Sequence, residues 1–122
     1  MKTIFIPTTK FEKSYKRLKK KYLSLKTDLE EFKKDYTENP EIGVDLGGGF
    51  RKIRVAIKSK NQGKRGGGRI ITYDICVKTE DKVVILVEIY DKSDFETLLE
   101  SEYEKKILNE FLKEFSSKTE HL

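Results

Sequence analysis

Residues 83–90, VVILVEIY, set the strongest limit on how this chain can fold. Seven of these eight side chains are apolar or aromatic, and the run is too short for an amphipathic helix. It reads as a strand covered on both faces, and so as a central strand of a sheet. Two further strand signals precede it. Residues 50–57 alternate, with Ile53, Val55 and Ile57 on one face and Lys52 and Arg54 on the other. Residues 69–77 (RIITYDICV) follow, and a turn at 79–82 leads into the apolar run.

The rest of the chain supplies what covers such a sheet. Residues 2–6 (KTIFI) predict a short strand stopped by Pro7, with Thr8 or Thr9 capping the next helix. Phe11, Tyr15, Leu18 and Tyr22 fall on one helical stripe. Ser24 reads as a second cap, and Leu25, Leu29, Phe32 and Tyr36 repeat the spacing until Asn39-Pro40 ends the helix. Residues 43–49 (GVDLGGG) read as a loop. The capping boxes Ser93-x-x-Glu96 and Ser101-x-x-Glu104 precede a stripe of Tyr103, Ile107, Leu108, Phe111 and Phe115, which predicts a helix over about 102–116. The expected order is β-α-α-β-β-β-α. This is an α+β fold, one domain over 1–122, with a helical hairpin and the other helix on one face of a largely antiparallel sheet.

Charge is distributed unevenly. Residues 51–69 hold eight basic side chains (Arg51, Lys52, Arg54, Lys58, Lys60, Lys64, Arg65, Arg69) and no acid. Of 26 Lys and Arg in the chain, 18 lie elsewhere, against 21 Asp and Glu. A mildly acidic body with one concentrated cationic element points to a polyanionic partner.

Lys52 and Arg54 share a strand face, Arg69 opens the next strand, and Tyr90 and Lys92 close the one after. Neighbouring strands would bring all five together. Such a cluster suits a phosphodiester: it neutralises phosphate and favours the charge that develops when a 2′-hydroxyl attacks it. Tyr90 or Tyr73 could stack on a base. A lysine crowded by like charges could serve as general base. Taken singly, Lys58 and Lys60 read as solvated surface; as a whole, residues 58–68 read as a mobile basic loop whose Lys58, Lys60, Lys64 and Arg65 dock on RNA, with Arg51 of the preceding strand as a further RNA-binding candidate. Tyr73 also reads as a sheet-face packing residue, and the glycines 66–68 either as slack or as a place where RNA approaches the backbone.

The sole cysteine, Cys76, excludes an internal disulfide, and the sole histidine, His121, is next to last. Together they exclude the ordinary zinc sets and leave no Ser-His-Asp or Cys-His site. Gly63-Lys64 lacks the following Ser or Thr of a phosphate loop. No apolar run approaches a membrane span or a signal segment, so the expectation is a cytoplasmic protein that makes no membrane contact.

With LGGGFRKIRVAIKSK, GKRGGGRIITYDI and ILVEIYDKSD in this order and spacing, residues 46–92 resemble the HigB-type branch of the RelE/ParE toxin superfamily. The resemblance implies a type II toxin, a metal-independent, cofactor-free endoribonuclease that cuts mRNA on the ribosome and stops translation. It implies a cognate HigA-like helix-turn-helix antitoxin as partner, with operator DNA contacted only through that complex. By position, Lys52 and Arg54 match the paired basic residues of the first strand after the helices. Arg69 matches the arginine expected at the scissile phosphate, and Lys92 the basic residue after the last strand. RelE carries a functional tyrosine in the segment after that strand, whereas residues 93–99 hold none; either Tyr90 takes the role or it is vacant. The superfamily also contains ParE-like gyrase poisons, and a catalytically inactive antitoxin-binding or co-repressor module is a third reading.

Overall fold

The computed structural model describes residues 2–61, 63, 66–76, 81–95 and 97–119. Strand β1 (Thr3–Pro7) is followed by helices α1 (Thr9–Lys21) and α2 (Leu25–Glu38). Then come β2 (Val44–Gly47), β3 (Phe50–Val55), a 3-10 turn (Lys58–Lys60), β4 (Gly68–Cys76), β5 (Lys82–Asp91), a second 3-10 turn (Lys92–Asp94) and α3 (Thr97–Thr119). The five strands form one sheet in the order β1-β5-β4-β3-β2. Among the described residues, only the β1–β5 pair is parallel. A parallel pair cannot be joined by a tight turn, and the path from β1 to β5 runs through the helical hairpin and three strands. The α+β class expected from the sequence is the one observed, and β5 is an interior strand.

Local chemistry explains the hairpin. Thr8 caps α1 by accepting from Phe11 N at 3.0 Å, and its hydroxyl donates to Val87 O at 3.0 Å, tying the helix start to β5. Ser24 precedes α2 but its side chain does not cap. Its hydroxyl donates to Asp28 at 2.6 Å and accepts from Ser59 N at 2.8 Å, fastening the hairpin tip to the turn after β3.

The two sheet faces are covered by different helices. Phe11, Leu18, Leu25, Leu29, Phe32 and Tyr36 of the hairpin pack on Ile53, Val55, Ile57, Ile70, Val84, Leu86 and Ile89. Each buried aliphatic side chain there contributes roughly 1.5–3 kcal/mol. The opposite face carries Phe50, Ile71, Val87 and Tyr90, covered by Ile107 with Tyr103, Leu108 and Phe111 of α3. The expectation that all helices share one face is therefore corrected, because the strands carry apolar residues on both sides.

Three further corrections follow. Residues 43–49 are not all loop: Val44–Gly47 pairs antiparallel with β3. The link is Gly47, Gly48 and Gly49, whose φ values of +88°, +62° and +95° form a turn that other residues rarely adopt. Helix α3 begins at Thr97, so Ser101 and Glu104 lie inside it and form no capping box, while Glu96 of the other box lies outside the described residues. The glycines 66–68 are not slack. A Cβ on Gly67 would stand 2.2 Å from Val55 O, so the close backbone approach is to the protein's own β3 end. Thr79 and Glu80 of the expected turn lie outside the described residues.

One irregularity positions the site. Thr72 pairs with Leu86 but Ile71 pairs with Glu88, so Val87 is an extra residue in β5. Such a bulge shifts the alternation by one. Val84 and Leu86 face the hairpin, whereas Glu88 and Tyr90 face α3. An unbroken strand would have put Tyr90 in the hairpin core.

Candidate phosphodiester site

Register places the predicted residues in one row. Arg54 lies directly across from Arg69, and Arg69 directly across from Tyr90. Directly opposed residues on neighbouring strands point to the same face, here the α3 face. The next row on that face is Lys52, Ile71 and Glu88, and Lys92 follows the end of β5. All five predicted catalytic residues, Lys52, Arg54, Arg69, Tyr90 and Lys92, are thus brought to one end of the sheet.

Two carboxylates of α3 stand over them. Lys92 Nζ lies 3.1 Å from Glu100 Oε1, and Arg69 Nε lies 3.9 Å from Glu100 Oε2. Tyr90 OH donates to Glu100 Oε2 at 2.8 Å and lies 3.4 Å from Glu104 Oε1. Lys52 Nζ donates to Glu104 Oε1 at 2.5 Å. Arg69, Tyr90 and Glu100 are 3%, 2% and 6% exposed, so the centre of the row is closed. Arg54 is exposed at its edge, and its guanidinium makes no hydrogen bond or ion pair among the described residues. Lys52, Arg69 and Lys92 thus contact the two α3 carboxylates, and Glu88 lies in the same row as Lys52.

Proton affinities reflect this burial. Burial, then the hydrogen bond to Glu100, raises the Tyr90 phenol far above its ordinary range. In this geometry Tyr90 is a neutral donor, which argues against the general-base role, and its ring packs edge-on against Phe95 and Tyr103 instead of offering a stacking surface. For Glu100, burial pushes the carboxyl up, but bonds from Tyr90 and Lys92 and the charge of Lys52 outweigh it and leave the pKa lowered. Burial lowers the Arg69 pKa, Glu100 partly offsets this, and the like charge of Arg54 adds to the lowering.

The remaining predicted residues are not brought to this row. Arg51 pairs with Thr72, and its Nη1 donates to Glu41 O at 3.0 Å. Lys58 Nζ pairs with Glu31 at 2.6 Å on the surface. Lys60, expected on a mobile loop, has a side chain only 7% exposed, bonded to Asp91 Oδ1 at 2.7 Å. Tyr73 is half-buried among Phe50, Phe111 and Phe115 at centroid distances of 4.9, 5.2 and 5.6 Å, a packing residue and not a base platform. Lys64 and Arg65 lie outside the described residues.

Two features escaped the sequence reading. Glu100 and Glu104 are one helical turn apart, a spacing visible in the chain, but nothing marks their target. Helix α1 carries seven cations and one acid, and Lys13, Lys16, Arg17, Lys19 and Lys20 are all exposed. The run KRLKKK is legible in the chain, but between the positions of an apolar stripe it marks only a solvated helix face. No protein-family model matches the chain.

Proposed function

We propose that this protein is a toxin of a type II toxin–antitoxin system and acts as an endoribonuclease on mRNA at the ribosome, as the resemblance to the HigB-type branch implies. The observation that carries the reading is the Arg54–Arg69 pair. Like charges directly across a sheet are destabilising, so their placement beside Tyr90, Lys52 and Lys92 argues for a polyanionic substrate. In this reading Arg54 and Arg69 grip the scissile phosphate, and Lys52 and Lys92 neutralise the charge that builds as the 2′-oxygen bonds to phosphorus. The bond to the 5′-oxygen breaks, giving a cyclic phosphate and a free 5′-hydroxyl. The exposed cations of α1 supply a second surface for ribosomal RNA, replacing the docking role expected of Lys58 and Lys60. A helix-turn-helix antitoxin of the HigA type, operator binding through that complex and a cytoplasmic site of action belong to the same proposal.

The test is induced expression with protein and DNA synthesis followed separately and mRNA ends mapped. Protein synthesis stops first, with cuts only in translated mRNA, and Arg69→Ala removes toxicity while antitoxin still binds. Replication arrest with intact translation would replace this reading by gyrase poisoning. The burial of Arg69 and Tyr90 favours one other reading, an inactive antitoxin-binding module, which absence of toxicity would establish.

A further inference from the structure

We infer that α3 is a gate whose Glu100 and Glu104 occupy the phosphate positions of the cationic row, so that an RNA strand binds only when the start of α3 lifts away. The inference rests on reading the Arg54–Arg69 row as an anion site.

Its basis is occupancy. Lys52, Arg69, Lys92 and Tyr90 each direct a polar hydrogen or positive charge at one of these two carboxylates. Carboxylate and phosphate oxygens make the same charge-assisted contacts with Lys and Arg, so the two ligands compete for one set of donors. With Arg69, Tyr90 and Glu100 buried, a polynucleotide cannot reach Arg69 or Tyr90 while α3 is seated.

The helix is also built to part in the right place. Its second half is anchored by Ile107, Phe111 and Phe115 through buried and aromatic contacts. In its first half Glu100 and Glu104 make ionic contacts, Tyr103 donates to Glu88 and sets its ring on Phe95 and Tyr90, and Leu99 is 54% exposed. Ionic contacts weaken in the presence of a competing polyanion, whereas apolar anchors do not. The gate therefore opens at the turn that carries Glu100 and Glu104, taking Tyr103 with it, and pivots on Ile107, Phe111 and Phe115.

Exposure gives the direction. Arg54 stays exposed at the edge, whereas Arg69 is buried beside Glu100. An incoming strand meets Arg54 first and then displaces the carboxylates from the other three.

The experiment measures binding of a fluorescent 2′-deoxy oligonucleotide of about twelve nucleotides, which has no 2′-hydroxyl and is not cleaved. The full chain is compared with Glu100→Gln/Glu104→Gln and with Glu102→Gln/Glu110→Gln, whose exposed carboxylates give the same change in net charge. The site variant is expected to bind roughly 10- to 100-fold tighter, the gain when a form populated at about 1–10% becomes the main one. Arg54→Ala in that background removes the gain. Equal gains in both glutamine variants, or none, overturn the gate. Hydrogen exchange on the wild-type chain gives an answer that does not depend on either variant folding. Bound oligonucleotide should speed exchange in the first half of α3 and spare β4 and β5; unchanged α3 exchange at saturation overturns the gate. Ribosomal cleavage is measured in parallel. Tighter binding without cleavage keeps the gate and removes the nuclease, and equal cleavage by the wild type and the site variant with no affinity gain removes the gate alone.

Discussion

Two carboxylate clusters sit at the same end of β5, and they are built on opposite principles. Asp91 is fully buried. It accepts from Tyr22 OH, from Lys60 Nζ at 2.7 Å, and from the Ser93 amide and hydroxyl at 3.0 and 2.8 Å, with Lys21 at 3.9 Å. One buried anion meets the nearly buried Lys60 and the exposed Lys21, and hydroxyl and amide donors fill its remaining acceptors. The cluster ties α1, the turn after β3 and the end of β5 together. The Glu100–Glu104 cluster draws both its anions from one helix and leaves Arg54 open to solvent. Donors gathered from several segments around one anion make a structural knot; two anions from one helix laid on a basic row make the contact that the proposed gate would break.

The comparison breaks first on stability. Asp91→Ala leaves Lys60 and Tyr22 without their acceptor and is expected to cost about 3–5 kcal/mol, read as a drop in denaturant midpoint. A loss under about 1 kcal/mol would show that Asp91 is no knot.

Acid sharpens it next. Burial raises the Asp91 carboxyl, but bonds from Lys60, Tyr22 and Ser93 outweigh burial and hold it at about 2, below its ordinary 3.8. A depressed folded-state pKa means stability that is present above the ordinary value and lost as pH falls through the folded one. About 2 kcal/mol should therefore disappear between about pH 4 and pH 2, and Asp91→Asn should remove that part of the acid limb. Glu100 is shifted in the same direction, so the α3 cluster contributes to the limb that remains in the variant.

The smallest effect has the most telling sign. Arg54→Ala removes a like charge opposite Arg69, so stability should rise by a few tenths to about 1 kcal/mol in thermal unfolding while ribosomal cleavage falls roughly tenfold or more. A loss of both would make Arg54 a structural residue.

Particular residues show how far the chain could be read in advance. Ile53, Val55 and Ile57 announced a strand and its buried face, and the Phe11 to Tyr22 and Leu25 to Tyr36 stripes announced the hairpin, because burial repeats with the local backbone period. Lys52, Arg54 and Arg69 were legible as one group for the same reason. The loop from 58 to 68 misled because its composition is polar: Lys60 is buried by a carboxylate 31 positions away, which no local pattern encodes. Val44–Gly47 was hidden as a strand by its flanking glycines, which serve the turn and not disorder.

Alternation and charge, being periodic or local, were enough to determine the α+β class, the helical hairpin and the identity of the cationic residues. Only the tertiary structure decided that the extra residue Val87 turns Tyr90 toward Arg69, that α3 takes the opposite face from the hairpin, and that Glu100 and Glu104 land on the basic row. Each depends on register between segments distant in the chain, and register is set by packing of the whole sheet, not by any window of residues.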